Sequence, residues 1–126
     1  MSHTVLIADD NVAIRQGLRD LFQSESDFDV CGEAENGREA VEKAQQLHPD
    51  LILLDLSMPV MNGLEAAGIL KKVMSKVPVI IYSAHEGPLS KNEASSAGIW
   101  AWISKSDHVS VLLREARSLV HHPLPS

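Results

Sequence analysis

Short, continuously apolar runs alternate along this chain with stretches in which apolar residues recur every three or four positions. The runs are Val5-Leu6-Ile7-Ala8, Leu51-Ile52-Leu53-Leu54 and Val79-Ile80-Ile81-Tyr82. Apolar at every position and bounded by turn residues, they read as central strands buried on both faces. Val30 to Ala34 and Ile99 to Ile103 mix polar with apolar residues, as edge strands do. Between the runs, Ile14, Leu18, Leu21 and Phe22 fall at helical spacing, as do Ala40, Val41, Ala44 and Leu47. So do Ala66, Ile69, Leu70 and Val73, and later Val109, Leu112, Leu113, Ala116 and Val120. Asn36 with Glu39, and Asn62 with Glu65, predict capped helix starts in which the glutamate reaches back to the cap. Pro49 stops the second helix. A fourth, poorer helix covers roughly 89–97 and ends at Gly98. Ser90, Lys91, Asn92, Glu93, Ser95 and Ser96 leave it only Leu89 and small alanines to bury, so a weakly held, mobile helix is expected. Trp100 is expected in an exposed apolar patch beside it.

Five strands alternating with five helices imply an α/β fold, a parallel sheet with helices on both faces. The ranking of central and edge strands agrees with order 2-1-3-4-5, the flavodoxin-like (βα)5 arrangement, whose crevice lies beyond strands one and three. At 126 residues the chain is one domain, expected over 1–121, and 122–126 has the composition of a tail or the start of a linker. The net charge of −6 argues against this domain gripping nucleic acid by itself. A single cysteine, Cys31, leaves no internal disulfide and suits a reducing cytoplasm. No apolar stretch is long enough to span a membrane, and nothing resembles a signal peptide.

The chemistry gathers at strand ends. The first strand ends in Asp9-Asp10, the third in Asp55, the fourth in Ser83, and Lys105 follows the fifth. In the predicted order Asp9, Asp10 and Asp55 share the crevice. Carboxylates so placed need a counter-charge, and oxygen-only ligands with room for water suit Mg²⁺ or Mn²⁺. A hydroxyl and an ammonium beside them can hold phosphoryl oxygens, which points to phosphoryl transfer with an aspartate as acceptor. Asp-Asp-Asn alone is as often a plain helix cap, and a lone lysine is ordinarily a solvated surface residue. The joint placement at four strand ends carries the reading.

From about Thr4 to Val120 the sequence closely resembles the receiver domain of two-component response regulators. The resemblance rests on Val5 through Asp10, Asp50 through Gly63, Ser83-Ala84 and Gly98 through Lys105. It implies that Asp55 accepts a phosphoryl group from a phosphohistidine on a sensor histidine kinase. Asp10, Asp55 and the Ser57 backbone carbonyl would be Mg²⁺ ligands, with Asp9 helping directly or through water. Ser83 and Lys105 would sense the phosphoryl group, and Trp102 holds the place of a switching aromatic. Ser57 and His85 resemble positions that tune phosphate lifetime. Such domains promote their own phosphorylation and dephosphorylation. They read out through the surface of the fourth helix, fifth strand and fifth helix, which also allows a phosphorylation-driven homodimer. The sequence looks closest to receivers that precede a helix-turn-helix output domain.

Two features depart from the family pattern: indole at Trp102 is bulkier than the usual phenol or phenyl, and Ser106 replaces a proline, so a trans peptide is expected there. These keep open a receiver-like module that works by constitutive protein contacts without phosphorylation. An aspartate-nucleophile phosphohydrolase of the haloacid dehalogenase type would need its acceptor after the first strand, in an Asp-x-Asp pair. A flavodoxin would need a Ser/Thr/Gly-rich phosphate cradle in the first loop, and that is absent.

Overall fold

The computed structural model describes residues 2–84 and 96–121. In chain order the elements are β1 (His3–Ala8), α1 (Val12–Gln23), β2 (Phe28–Ala34), α2 (Gly37–Leu47), β3 (Leu51–Asp55), α3 (Gly63–Val73), β4 (Val79–Ser83), β5 (Ala101–Ser104) and α4 (Val109–His121). The strands form one parallel sheet of order 2-1-3-4-5, in agreement with the ranking of central and edge strands. The helix expected over 89–97 lies almost entirely outside the described residues, so neither its mobility nor the associated surface is addressed by them. The same holds for the tail at 122–126. None of the helices among the described residues is long and apolar enough to cross a membrane.

Alternation along each central strand sends side chains to two cores. Leu6, Ala8, Ile52, Leu54, Val79 and Ile81 face α2 and α3, packing with Ala40, Val41, Ala44, Ala66, Ala67 and Leu70. Val5, Ile7, Leu51, Leu53, Ile80 and Tyr82 face α1 and α4, packing with Leu18, Phe22, Leu112 and Ala116. Small alanines on the first side let α2 and α3 lie close to the sheet. On the second side, Phe22 meets Phe28 edge to face at 5.1 Å.

Some local expectations hold and others need correction. Asn62 and Glu65 form the full reciprocal capping box. At Asn36 only half is made: its side chain accepts from the Glu39 N–H, while the Glu39 carboxylate pairs with Lys43 one turn on. On α3 the inner face is completed by buried Ala67 rather than by Val73, which is 49% exposed at the last turn. Strand β5 begins two residues later than the apolar pattern suggests. Ile99 is buried in the core from the preceding loop, and Gly98 at φ +87° makes the turn that admits it. A Cβ at Gly98 would lie 2.5 Å from the Ala67 carbonyl oxygen, so glycine is required by space as well as by φ. Trp100 is half-buried against the α2–α3 core rather than part of an exposed patch. No cis peptide occurs among the described residues, so the Lys105–Ser106 bond is trans as expected.

The loop from Leu56 to Asn62 carries local backbone strain. Val60 has φ +68°, and Met61 N–H donates to the Pro59 carbonyl at 2.7 Å across it, a three-residue turn of the rare hand. A β-branched residue suffers most in that region, and Val60 is 76% exposed, so no packing offsets the cost. Val60→Asn, which tolerates left-handed backbone, is expected to stabilise the fold by about 1 kcal/mol and raise Tm by a few degrees. An unchanged or lower Tm in thermal melts would contradict the strain.

Candidate functional site

The sheet order sets β1 and β3 side by side, with Ala8 paired to Leu54, so the residues that follow each strand meet at one edge. Asp9 is 1% exposed and Asp55 8%, while Asp10 is exposed at the mouth. One oxygen from each of these three carboxylates lies within 4.8 Å of the others. Asp9 is held from both sides: Asn11 N–H donates to Oδ1 at 2.8 Å, and Lys105 Nζ donates to Oδ2 at 3.1 Å. The same ammonium donates to Asp55 Oδ1 at 3.2 Å.

Lys105, just past β5, reaches Asp55 from two strands away and Asp9 from three. Its own N–H donates to the Ser83 carbonyl at 2.6 Å, extending the β4–β5 ladder, in which Ser83 is paired with Ser104. Ser83 is 1% exposed. The turn beyond is closed by Asp107 N–H donating to the Ser104 carbonyl, and the Ser104 hydroxyl accepts from Ser106 N–H at 3.2 Å. Ser106 therefore gives this loop a hydrogen-bonded turn where the family pattern has proline.

On the other side, α3 presses against the end of β3. Gly63 N–H donates to the Leu56 carbonyl at 2.9 Å, and a Cβ at Gly63 would lie 2.4 Å from the Asp55 carbonyl oxygen. Only glycine allows the helix to start that near Asp55. Between the loop and Asp10 lies an open depression of about 640 Å³, with Ser57, Met58, Pro59 and Leu64 among its walls.

The electrostatics follow from this crowding. Burial, and then the Asp9 charge, push the Asp55 carboxyl above its ordinary value, and Lys105 only partly offsets them. Burial pulls Lys105 down, but its hydrogen bonds to Asp9 and Asp55 outweigh that and leave it raised, so it stays an ammonium at neutral pH. Three carboxylates against one ammonium leave these four groups a net charge of two negatives, which fits an oxygen-ligated divalent cation. Asp9, Asp10 and Asp55 could hold one.

The structure thus brings together Asp9, Asp10, Asp55 and Lys105, sets Ser83 at the adjacent strand end, and places Ser57 in the depression beside Asp10. Trp102 stands apart on β5, half-buried against the α2–α3 core and in register with Ile81. His85 lies outside the described residues. One participant escaped the sequence reading. Arg15, on α1, is only 12% exposed at its side chain and donates from Nη1 to the Asp9 carbonyl at 2.6 Å. The available signal was a charged residue on the helix face that also buries Leu18 and Phe22.

Residues 5–117 match the family model of the response regulator receiver domain, and the chain belongs to that family. A protein-glutamate methylesterase/protein-glutamine glutaminase from Pyrococcus abyssi is 41% identical over 118 residues, covering 90% of this chain and 31% of the relative. The response regulator protein VraR of Staphylococcus saprophyticus is 34% identical over 113 residues, 90% of this chain and 54% of that protein. The chain therefore spans about a third of the methylesterase relatives and about half of the regulator. Among solved structures, the response regulator domain of Thermotoga maritima CheB superimposes with a TM-score of 0.87 at 33% identity, covering 96% of this chain and 98% of that one. CheY in the CheX–CheY–BeF3–Mg complex of Borrelia burgdorferi gives 0.85 at 28% identity, covering 93% and 88%.

The raised Asp55 value has a sign that can be checked. Because the folded-state value lies above the unfolded one, the stability Asp55 contributes is present below its ordinary 3.8 and is lost as pH climbs through the raised value. Asp55→Asn is therefore expected to melt a few degrees above the wild type at about pH 7.5 in EDTA, an effect on the order of 1 kcal/mol. The gap should close as pH falls toward the ordinary carboxylate range. A wild type more stable than Asp55→Asn at neutral pH without metal would contradict the crowding.

Proposed function

We propose that this receiver domain is a phosphorylation-dependent switch in which Asp55 is the phosphoryl acceptor. The observation that carries the reading is the Asp55 carboxylate itself: ionisable, nearly buried, and set at a strand end among two further acids and a lysine. In the proposed transfer, an Asp55 carboxylate oxygen forms the new bond to phosphorus as the bond to the donor's imidazole nitrogen breaks. The leaving imidazole keeps the electron pair. The donor is a phosphohistidine on a sensor histidine kinase, and small acyl phosphates would substitute for it chemically.

A bound Mg²⁺ or Mn²⁺ would neutralise charge that builds on the phosphoryl oxygens. Its holders would be Asp10, Asp55 and the Ser57 backbone carbonyl, with Asp9 direct or through water. Lys105 loses part of its hold on Asp55 as the carboxylate is phosphorylated and its charge spreads onto the acyl phosphate, and its ammonium can then donate to a phosphoryl oxygen. Ser83, anchored by its carbonyl to Lys105 N–H, supplies a hydroxyl from the neighbouring strand end. The domain thus favours its own phosphorylation and dephosphorylation rather than turning over a separate substrate. Ser57 and His85 are the positions proposed to set how long the phosphate lasts.

The output is a population shift. Movement of Ser83 toward the phosphoryl group would be felt along β4 and, through paired Trp102, on β5. Trp102 is the proposed switching aromatic, and the surface it borders is the proposed contact for a partner or a second copy. The reading places the domain, residues 1–121, in the cytoplasm, with no direct role in binding nucleic acid or membrane. Control of transcription through a helix-turn-helix domain is one output such a receiver serves, and the methylesterase relatives show the same kind of domain occupying about a third of a different protein.

Incubation with acetyl phosphate and Mg²⁺ is expected to add one phosphoryl group by intact mass, absent in Asp55→Asn and without metal. If no adduct forms and beryllofluoride also fails to bind, the domain instead works through constitutive protein contacts.

A further inference from the structure

The β1–α1 turn carries two of the three acids, yet nothing in the sheet fixes its far side. Register pairing between β1 and β3 stops at Ala8 with Leu54, and Asp9 keeps only one ladder bond, its N–H to the Ala34 carbonyl at 3.0 Å. Its carbonyl turns toward α1 and accepts from Arg15 Nη1 at 2.6 Å. The guanidinium is itself clamped: Nε donates to Glu33 Oε1 at 3.1 Å, and Nη2 lies 3.9 Å from Glu35. Glu33 is held in turn, its carboxylate by Arg19 and its own carbonyl by Lys43, which also pairs with Glu39. A chain of charge-assisted bonds therefore runs from α2 and β2 through Arg15 to the backbone of Asp9.

The geometry points to Arg15 as a positioning residue for cation binding: it fixes the Asp9 peptide so that the Asp9 and Asp10 carboxylates face Asp55. The inference rests on the proposal that these acids hold a divalent cation. Arg15 touches neither the cation nor the phosphoryl group. Its planar fork meets two acceptors in fixed directions, the Asp9 carbonyl and Glu33, which the single ammonium of lysine cannot reproduce. Outer partners that orient metal-binding groups are worth about 10–100-fold in metal affinity.

The direction of the effect separates this role from a simple charge effect. Arg15 is a cation beside an acidic cluster, so removing its charge should by Coulomb's law tighten Mg²⁺ binding. Loss of positioning should weaken it. A purely structural role would lower Tm and leave the affinity of the folded protein unchanged.

The test is calorimetric titration of Mg²⁺ into the whole chain, with no phosphodonor, for wild type, Arg15→Ala, Arg15→Lys, Arg38→Ala and Asp10→Asn. Thermal melts identify the variants that are folded. Arg15→Ala is expected to bind Mg²⁺ about tenfold more weakly than wild type. Arg15→Lys, which keeps the charge and is the milder change should the alanine variant not fold, is expected to fall between them. Arg38→Ala, which removes an exposed charge paired along α2 with Glu42 and outside the Arg15–Glu33 network, is expected to show no loss. Folded Arg15 variants that bind as tightly as wild type, or tighter, would overturn the proposal, provided that Asp10→Asn binds more weakly. If wild type takes up no Mg²⁺, or Asp10→Asn binds as well as wild type, the cation site itself is wrong and this inference falls with it.

Discussion

The Lys105 ammonium, shared between Asp9 and Asp55 at 3.1 and 3.2 Å, is the contact on which the rest of the site depends. Without a cation there, two nearly buried carboxylates would face each other with no compensation, a costly arrangement in a low-dielectric setting. The sheet order makes the contact. With β1 beside β3, the acids meet; with β4 and β5 following, a residue just past β5 can lean back across the strand ends. Antiparallel strands could not place all of these ends on one edge. The lysine balances one charge of the cluster and leaves the remainder for an external ligand, so the pocket is stable enough to fold and unsatisfied enough to bind.

Two different means hold the acids in place. Asp55 is fixed by close backbone packing, since the absence of a side chain at Gly63 lets α3 begin against its carbonyl. Asp9 is fixed by polar contacts: the Asn11 N–H on its carboxylate and the Arg15 guanidinium on its carbonyl. The loop between Asp55 and α3 then absorbs the mismatch, with Val60 in the left-handed region and Asn62 and Glu65 closing a capping box immediately after it. Strain next to a rigidly capped helix is a common companion of binding sites.

Much of this could be read from residues. The three continuous apolar runs declared the central strands, because only strands buried on both faces have no polar alternation. The acids at their ends declared the crevice. Less legible were features in which a side chain acts out of type. Ile99 is apolar and buried but belongs to a loop, so the apolar pattern begins before strand β5 does. Glu39 has the right spacing for a capping box, yet Lys43 one turn on competes for its carboxylate, and spacing cannot rank the two. Val60 carries no sequence signal for positive φ, since β-branched residues argue against it. Arg15 was hidden by the sound expectation that helical arginines are solvated; only the placement of Glu33 on the neighbouring strand explains its burial. Its place at a strand end put Lys105 near the acids, but its bonds to both carboxylates could not be read from spacing, because the partners lie 96 and 50 residues away.

In the proposed function the three acids form one site shared by a divalent cation and a phosphoryl group on Asp55. Crystals of the domain grown with Mn²⁺ and beryllofluoride test it most directly, because manganese can be located by its anomalous scattering. The expected result is one anomalous peak bounded by Asp10, Asp55 and the Ser57 carbonyl, with beryllofluoride on Asp55 and Lys105 turned from the Asp55 carboxylate to a fluorine. Manganese elsewhere, or a bare Asp55 still bonded to Lys105 at saturating ligand, would contradict it.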